Sequence, residues 1–198
     1  YLKTLGSMGE PLSKHIGSWF SSRYSKKKLQ IVNTFYQTET GAIIASPKYD
    51  DSIKDVPFGT VGKPVNSYLG VFLDRQKEEK SEIKIKNPWP GCMIGIVNGK
   101  KIYNQYWDKK KNFKLFDYAS YDKNGNIIIH GRLDDVINVR GHRIGSEEIE
   151  SVLLKEKNIY ETSAVGIDDN LGGAKIVLFV VSKKNLDLKA IIKNIIRS

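Results

Sequence analysis

With 198 residues, 40% of them hydrophobic and 27% charged, the chain has the composition of a folded protein with room for one domain and part of another. No apolar run reaches the roughly 18 residues of a membrane helix, and the single cysteine, Cys92, excludes an internal disulfide framework and a Cys-based zinc site and reads as a small buried filler. The formal net charge of +10 comes from scattered lysine clusters (26–28, 109–111, 183–184) without interleaved aromatics, so it reads as solvated basic surface and not as a nucleic-acid or membrane interface. A cytoplasmic setting is expected.

In chain order, YLKTLGS, a polar helix over 12–24 and KLQIVNTF alternate as strand, helix, strand, the pattern of the end of an α/β sheet. GEP (9–11) and FYQTETG (35–41) then fall in ligand-facing loops at strand ends. From 59 to 130 the chain turns β-rich, with LGVFLD, SEIKIKN, FKLFDYASY and NIIIHG as strands, Trp89-Pro90 as a turn and Asn124-Gly125 as a hairpin signal. After Arg132, DDVINVRG reads as a strand and Ser146 as a helix N-cap, with Glu147 and Glu148 in the first turn and Ile149, Val152 and Leu153 on the buried face. YETSAVGID and KIVLFVVS follow as strands, and LKAIIKNIIRS as a second helix, completing a small α+β domain. That last stretch carries no stop signal and the chain begins at Tyr1, so a piece of a longer protein is expected.

QTETG offers hydroxyls for phosphate oxygens, a carboxylate suited to a hard cation and a glycine that allows close backbone approach to a ligand; it is equally an ordinary polar turn. GRLDDVINVRGHRIGSEEIE (131–150) is denser, with Arg132 and Arg143 as forks for phosphate or ribose oxygens. GTVGK (59–63) is no phosphate loop, since Pro64 stands where Ser or Thr is needed. His15 and His130 lack partner spacing for a metal or a triad, and His142 reads as loop support.

GEP, FYQTETG, NPWPG (87–91), Asp117 and the 131–150 run resemble, in order and spacing, the AMP-forming acyl-CoA synthetases of the adenylate-forming superfamily, most closely acetyl- and propionyl-CoA synthetases. The resemblance covers essentially the whole chain. It implies the end of the large domain over 1–133, a sheet and a β-rich subdomain, followed by a truncated α+β lid domain over 134–198. The implied activity couples a short carboxylic acid, ATP and coenzyme A, with Mg²⁺, through an acyl-adenylate. Gly9, Glu10 and Pro11 would line the adenine site, with Phe35 against the base. Asn33, Thr34, Phe35, Tyr36, Gln37 and Thr38 would wrap the nucleotide, Thr38 reaching the α-phosphate, Glu39 the metal and Asp117 the ribose. Arg132 and Arg143 would reach ribose and phosphate, Tyr36 would close the acyl pocket, Arg140, Gly141 and Arg197 would meet coenzyme A, and Asp134 would be the hinge. Thr38, Glu39 and Arg143 are the implied catalytic set.

Two departures stand out: Phe116 replaces the glycine that normally precedes the ribose-binding aspartate, and Arg140 replaces a serine. The family's phosphate loop would precede Tyr1 and its lysine would follow Arg197, so this length alone is expected to be inactive. The rival reading is a non-catalytic nucleotide- or coenzyme-A-binding module. The sequence is silent on oligomeric state.

Overall fold

A computed structural model of the chain describes residues 3–10, 12, 14–23, 30–48, 55–74, 80–139, 142–169, 173–187 and 191. The chain divides into two compact units, Tyr1–Ile129 and His130–Ser198.

In the first unit β1 (Thr4–Ser7) and β2 (Gln30–Asn33) run parallel, Thr4 opposite Gln30 and Ser7 opposite Asn33. Parallel strands need a crossover, and α1 (Lys14–Arg23) lies between them in sequence. The expected strand through Phe35 divides: the Thr34 amide still donates to Ser7 O at 2.9 Å, after which β3 (Phe35–Tyr36) joins a different sheet with β4 (Ile43–Ser46) and β5 (Lys63–Pro64). β6 (Val71–Leu73), β7 (Ser81–Ile85), β8 (Phe113–Tyr121) and β9 (Ile127–Arg132) form a third sheet in that order. Alternation along β7 and β8 sends Ile83, Ile85, Phe113 and Leu115 into one core with Phe35, Ile44, Leu69 and Ile127. A short helix, α2 (Lys100–Gln105), interrupts the stretch that the sequence pattern marks as strands and turns.

One five-residue loop occurs twice, as DKKKN (108–112) and DKNGN (122–126). In each, the aspartate Oδ1 accepts from the backbone N–H two and four residues on, and Oδ2 accepts from the closing asparagine side chain, at 2.8–2.9 Å. The fourth residue is left-handed in both, glycine in one (Gly125, φ 78°) and lysine in the other (Lys111, φ 61°). Asp108 also accepts from the buried Lys84 ammonium at 3.3 Å, which Asp74 approaches to 2.6 Å and Glu82 to 3.5 Å. Burial alone would lower the Lys84 pKa, but these carboxylates outweigh it and hold it above its ordinary value.

In the second unit β10 (Val136–Val139) pairs antiparallel with β11 (His142–Gly145), and β12 (Ile159–Asp169) with β13 (Gly173–Ser182), in the order β11-β10-β13-β12. α3 (Ser146–Leu153) places Leu153 against Ile159 and Ile191, with Ile149, Leu178 and Val180 packed around them. Ser146 is not the cap expected of it. β11 runs straight into the helix, so extended Gly145 (φ −69°, ψ 138°) is the N-cap and Ser146 the first helical residue. A Cβ at Gly145 would lie 2.7 Å from His130 O, which excludes a larger cap there. Asp134 and Asp135 form a turn and the strand starts at Val136, two residues later than expected. Of the expected final helix, Ile191 is helical and buried, and 192–198 lie outside the described residues. No helix among the described residues is long and apolar enough to cross a membrane.

The paired loops give a direct test. Lys111→Gly is expected to stabilise the protein by about 0.5–1 kcal/mol, the left-handed penalty of an L-residue less the added unfolded freedom of glycine. Thermal denaturation by circular dichroism should rise by about 1–4 °C, and Gly125→Ala should lower it. Burial alone would raise the Asp122 carboxyl, but donors from Asn126 and Asn124 outweigh it and hold it below its ordinary value. Its stabilisation is therefore complete above a pH of about 4 and disappears as pH falls through the lower folded value. Asp122→Asn should flatten that part of the stability–pH curve.

Candidate functional site

FYQTETG begins in β3 and ends in a single 3₁₀ turn. Gln37 is extended (φ −134°, ψ 153°), Thr38–Thr40 form the turn and Gly41 closes it left-handed at φ 64°. Thr40 is fully buried, and its hydroxyl donates to Gln37 O at 2.8 Å. The turn rests on NPWPG. The Trp89 indole N–H donates to Thr40 O at 2.7 Å, the Met93 amide donates to Glu39 O at 2.8 Å, and a Cβ at Gly41 would collide with the Gly91 carbonyl. Gly41 is thus in close approach to the Gly91 backbone. A bare Cα is what lets the two motifs touch.

The upper side of the turn faces outward. Tyr36 is 42% exposed, Thr38 is exposed and Glu39 half-buried, with the Tyr106 hydroxyl donating to Glu39 Oε1 at 2.9 Å. Gln37 reaches sideways to β8, where its Nε2 donates to Leu115 O at 2.6 Å and to the carboxylate of buried Asp117. Gln37 Oε1 is buried and has no hydrogen-bond partner among the described residues. β8 is bulged here: Tyr118 faces Glu82 and Lys114 faces Lys84, so four steps of β8 span two of β7. Phe116 occupies the bulge at φ +55°, a left-handed conformation that favours glycine. Its ring meets Tyr106 edge-on at 5.1 Å, and the Lys114 ammonium stands 4.3 Å over its face.

Gly9 (φ +96°) and exposed Glu10 follow β1, beside the residues that follow β2, at the carboxyl ends of a parallel pair. Pro11 lies outside the described residues. Asn33 points inward, its Nδ2 donating to Thr60 O at 3.1 Å, the Thr34 hydroxyl donates to Ser7 O at 3.3 Å, and Phe35 is in the core at 9% exposure. The alternation of β3 thus sends Phe35 in and Tyr36 out.

In the second unit Arg132 Nε lies 3.2 Å from Asp134 Oδ1, in a half-exposed pair that contributes little by itself. Arg143 faces Asn138 across β10–β11, while its side chain, with Arg140, Gly141 and Arg197, lies outside the described residues. A cleft of about 670 Å³ is lined by Asp134, Val136, Asn138, Glu150, Ser163 and Asp168 among others, a carboxylate-rich wall unsuited to phosphate. His130 Nδ1 is 3.3 Å from Glu148 Oε1, a partner that sequence spacing does not disclose. Nor does spacing disclose Trp89, Tyr106 or Leu115 O as supports of the site. Each acts through a long-range contact or a main-chain atom.

No protein-family model matches the chain. The acetyl-coenzyme A synthetase of Leptospira biflexa is 35% identical over 201 residues, 97% of this chain and 30% of that protein. That of Campylobacter jejuni is 37% identical over 197 residues, 91% and 29%, and acetyl-coenzyme A synthetase 1 of Candida glabrata 33% over 191 residues, 92% and 27%. The chain thus spans about three-tenths of the length of these relatives. The anthranilate CoA ligase AuaEII, solved with anthranoyl-AMP, superposes with a TM-score of 0.74 at 20% identity, over 98% of this chain and 37% of that one. O-succinylbenzoate coenzyme A synthetase MenE of Bacillus subtilis, solved with AMP, gives 0.75 at 21%, over 97% and 39%; with both structures the likeness is one of fold. Sequence identity above 30% runs along nearly the whole chain, which is thus similar to about three-tenths of the length of acetyl-CoA synthetases and shares its fold with the corresponding part of two CoA ligases.

Proposed function

We propose that the chain carries the nucleotide cradle and the small C-terminal domain of a short-chain acyl-CoA synthetase, with 1–133 the end of the large domain and 134–198 the lid. The reaction begins when an acid oxygen attacks the α-phosphorus of ATP, the bond to pyrophosphate breaks and an acyl-adenylate forms. The thiol sulfur of coenzyme A then attacks the acyl carbon, and AMP leaves. The single observation that carries this reading is the Gln37 bridge to Asp117, which sets an acceptor carboxylate and an unpaired amide oxygen side by side. Two adjacent acceptors suit the two hydroxyls of a ribose, and the unpaired oxygen would gain its missing donor.

The turn above this pair presents Thr38 and Glu39 toward the solvent side. Among the described residues no group of three or more His, Cys, Asp or Glu side chains is placed to hold a metal. Glu39 would supply one carboxylate to a magnesium ion otherwise held by substrate phosphates and water, the usual manner of that ion. Magnesium, when bound, offsets phosphate charge as pyrophosphate departs. Thr38 would donate to the α-phosphate, Gly9, Glu10 and Pro11 would border the base, and Arg132 and Arg143 would approach the ribose and phosphates. Tyr36, outward and adjacent, would close the acyl pocket on a short acid. Arg140, Gly141 and Arg197 would meet coenzyme A, and Asp134, exposed in its turn, is the hinge of the reading. The partners are small molecules, and the setting is cytoplasmic.

The test is acid-dependent pyrophosphate release and thioester formation by the intact synthetase across acids of increasing length. Preference for acetate or propionate is expected; no dependence on any short acid would refute the reading. Tyr36→Gly should move the preference toward acids two or three carbons longer. At about 0.8 kcal/mol per methylene buried, two are enough to change the ranking about tenfold. An unchanged chain-length profile would place Tyr36 outside the pocket.

A further inference from the structure

Tyr106 belongs to none of the motifs, yet four contacts converge on it. It follows α2 directly as its C-cap, and its carbonyl accepts from the Lys114 amide at 2.8 Å. Its ring stacks on buried Phe113 at 5.7 Å and 28° and meets Phe116 edge-on at 5.1 Å and 87°. The hydroxyl at the far end of this anchored ring donates to Glu39 Oε1 at 2.9 Å. The backbone of Glu39 is held separately, by the Met93 amide at 2.8 Å.

We propose that Tyr106 is a positioning residue for the Glu39 carboxylate, fixing its rotation so that it meets a divalent cation without first being ordered. The proposal rests on the reading of Glu39 as a metal ligand. A carboxylate has about four acceptor positions on two oxygens. One O–H bond to Oε1 occupies one of these and leaves the others for a hard cation. A glutamate on a surface turn has three rotatable side-chain bonds to order on binding a metal, at an entropic cost. A donor built on a core-anchored ring meets that cost in the folded protein, before the metal arrives. The same ring supports Phe116, next to Asp117, so one side chain braces both the metal end and the ribose end of the cradle. A ring present only to fill the core would need no hydroxyl at this carboxylate.

The experiment uses the intact synthetase with Mn²⁺ in place of Mg²⁺ and a non-hydrolysable ATP analogue, free Mn²⁺ being read by electron paramagnetic resonance. Tyr106→Phe keeps the ring and removes the donor. It is expected to raise the Mn²⁺ Kd about three- to tenfold, with metal-free binding of the analogue and the melting temperature unchanged. Glu39→Gln should raise the Kd at least as much. The double variant should be no worse than Glu39→Gln alone, since the hydroxyl acts only through that carboxylate. Wild-type Mn²⁺ affinity in Tyr106→Phe alongside weakened affinity in Glu39→Gln would overturn the proposal and leave the metal reading standing. Losses that multiply in the double variant, or weakened metal-free binding with a lowered melting temperature in Tyr106→Phe, would assign Tyr106 a packing role and overturn it too. Unchanged affinity in Glu39→Gln would overturn both the metal reading and the proposal.

Discussion

A primary amide has two N–H donors and one acceptor oxygen, and at Gln37 both donors are committed to a single strand. Leu115 O and the Asp117 carboxylate lie two residues apart on β8, and the Gln37 Nε2 donates to both. Rotating the amide by half a turn would set its oxygen against two acceptors, so its orientation is dictated. Meeting both acceptors with one nitrogen brings a backbone carbonyl and a side-chain carboxylate to the same point. The β8 bulge, with Phe116 left-handed between the two residues, is the backbone form that accompanies this arrangement. This bridge ties Gln37, and with it the start of the 38–40 turn, to β8.

The remaining supports hold the turn from other sides. Trp89 and the Gly41–Gly91 contact lie beneath it, and Tyr106 beside Glu39. Two residues beyond Tyr106, Asp108 closes its own loop and also accepts from buried Lys84 on β7. Burial alone would raise the Asp108 carboxyl, but the donors of Asn112, Lys84 and Lys110 outweigh it and hold it well below the usual carboxylate range. It therefore stays an acceptor for both tasks. In a chain with a net charge of +10, this ammonium is buried among carboxylates and its charge is directed inward onto loop geometry.

The elements legible in the sequence are those whose signals are local. Period-two alternation marks β7 and β8, short β-branched and apolar runs mark β9, β12 and β13, and Asn124-Gly125 marks its turn, all of them local signals. The likeness to acetyl-CoA synthetases was also legible, from five short segments in order. What escaped is set by contacts across long separations. The break between Asn33 and Phe35 is invisible because both fit one alternating run, and only the tertiary partner Thr60 draws Asn33 inward. α2 is too short and too lysine-rich to show a periodic face. Ser146 has the composition of a cap but follows a strand that already delivers Gly145 in extended form. The glycine of QTETG admits another loop's backbone, a contact that no local pattern announces.

Phe116 has a consequence for how this site can change by mutation. Glycine adopts φ +55° freely and a phenylalanine does not, so the ring's contacts with Tyr106 and Lys114 offset a backbone cost of about 1–2 kcal/mol. The substitutions are therefore epistatic. With Tyr106 and Lys114 in place the aromatic residue is tolerated, and without them it strains the strand that presents Asp117. Glycine at 116 would relieve the dihedral whatever its neighbours, whereas changes at Tyr106 or Lys114 would leave the ring's backbone cost uncompensated, so tolerance at one position depends on the other two.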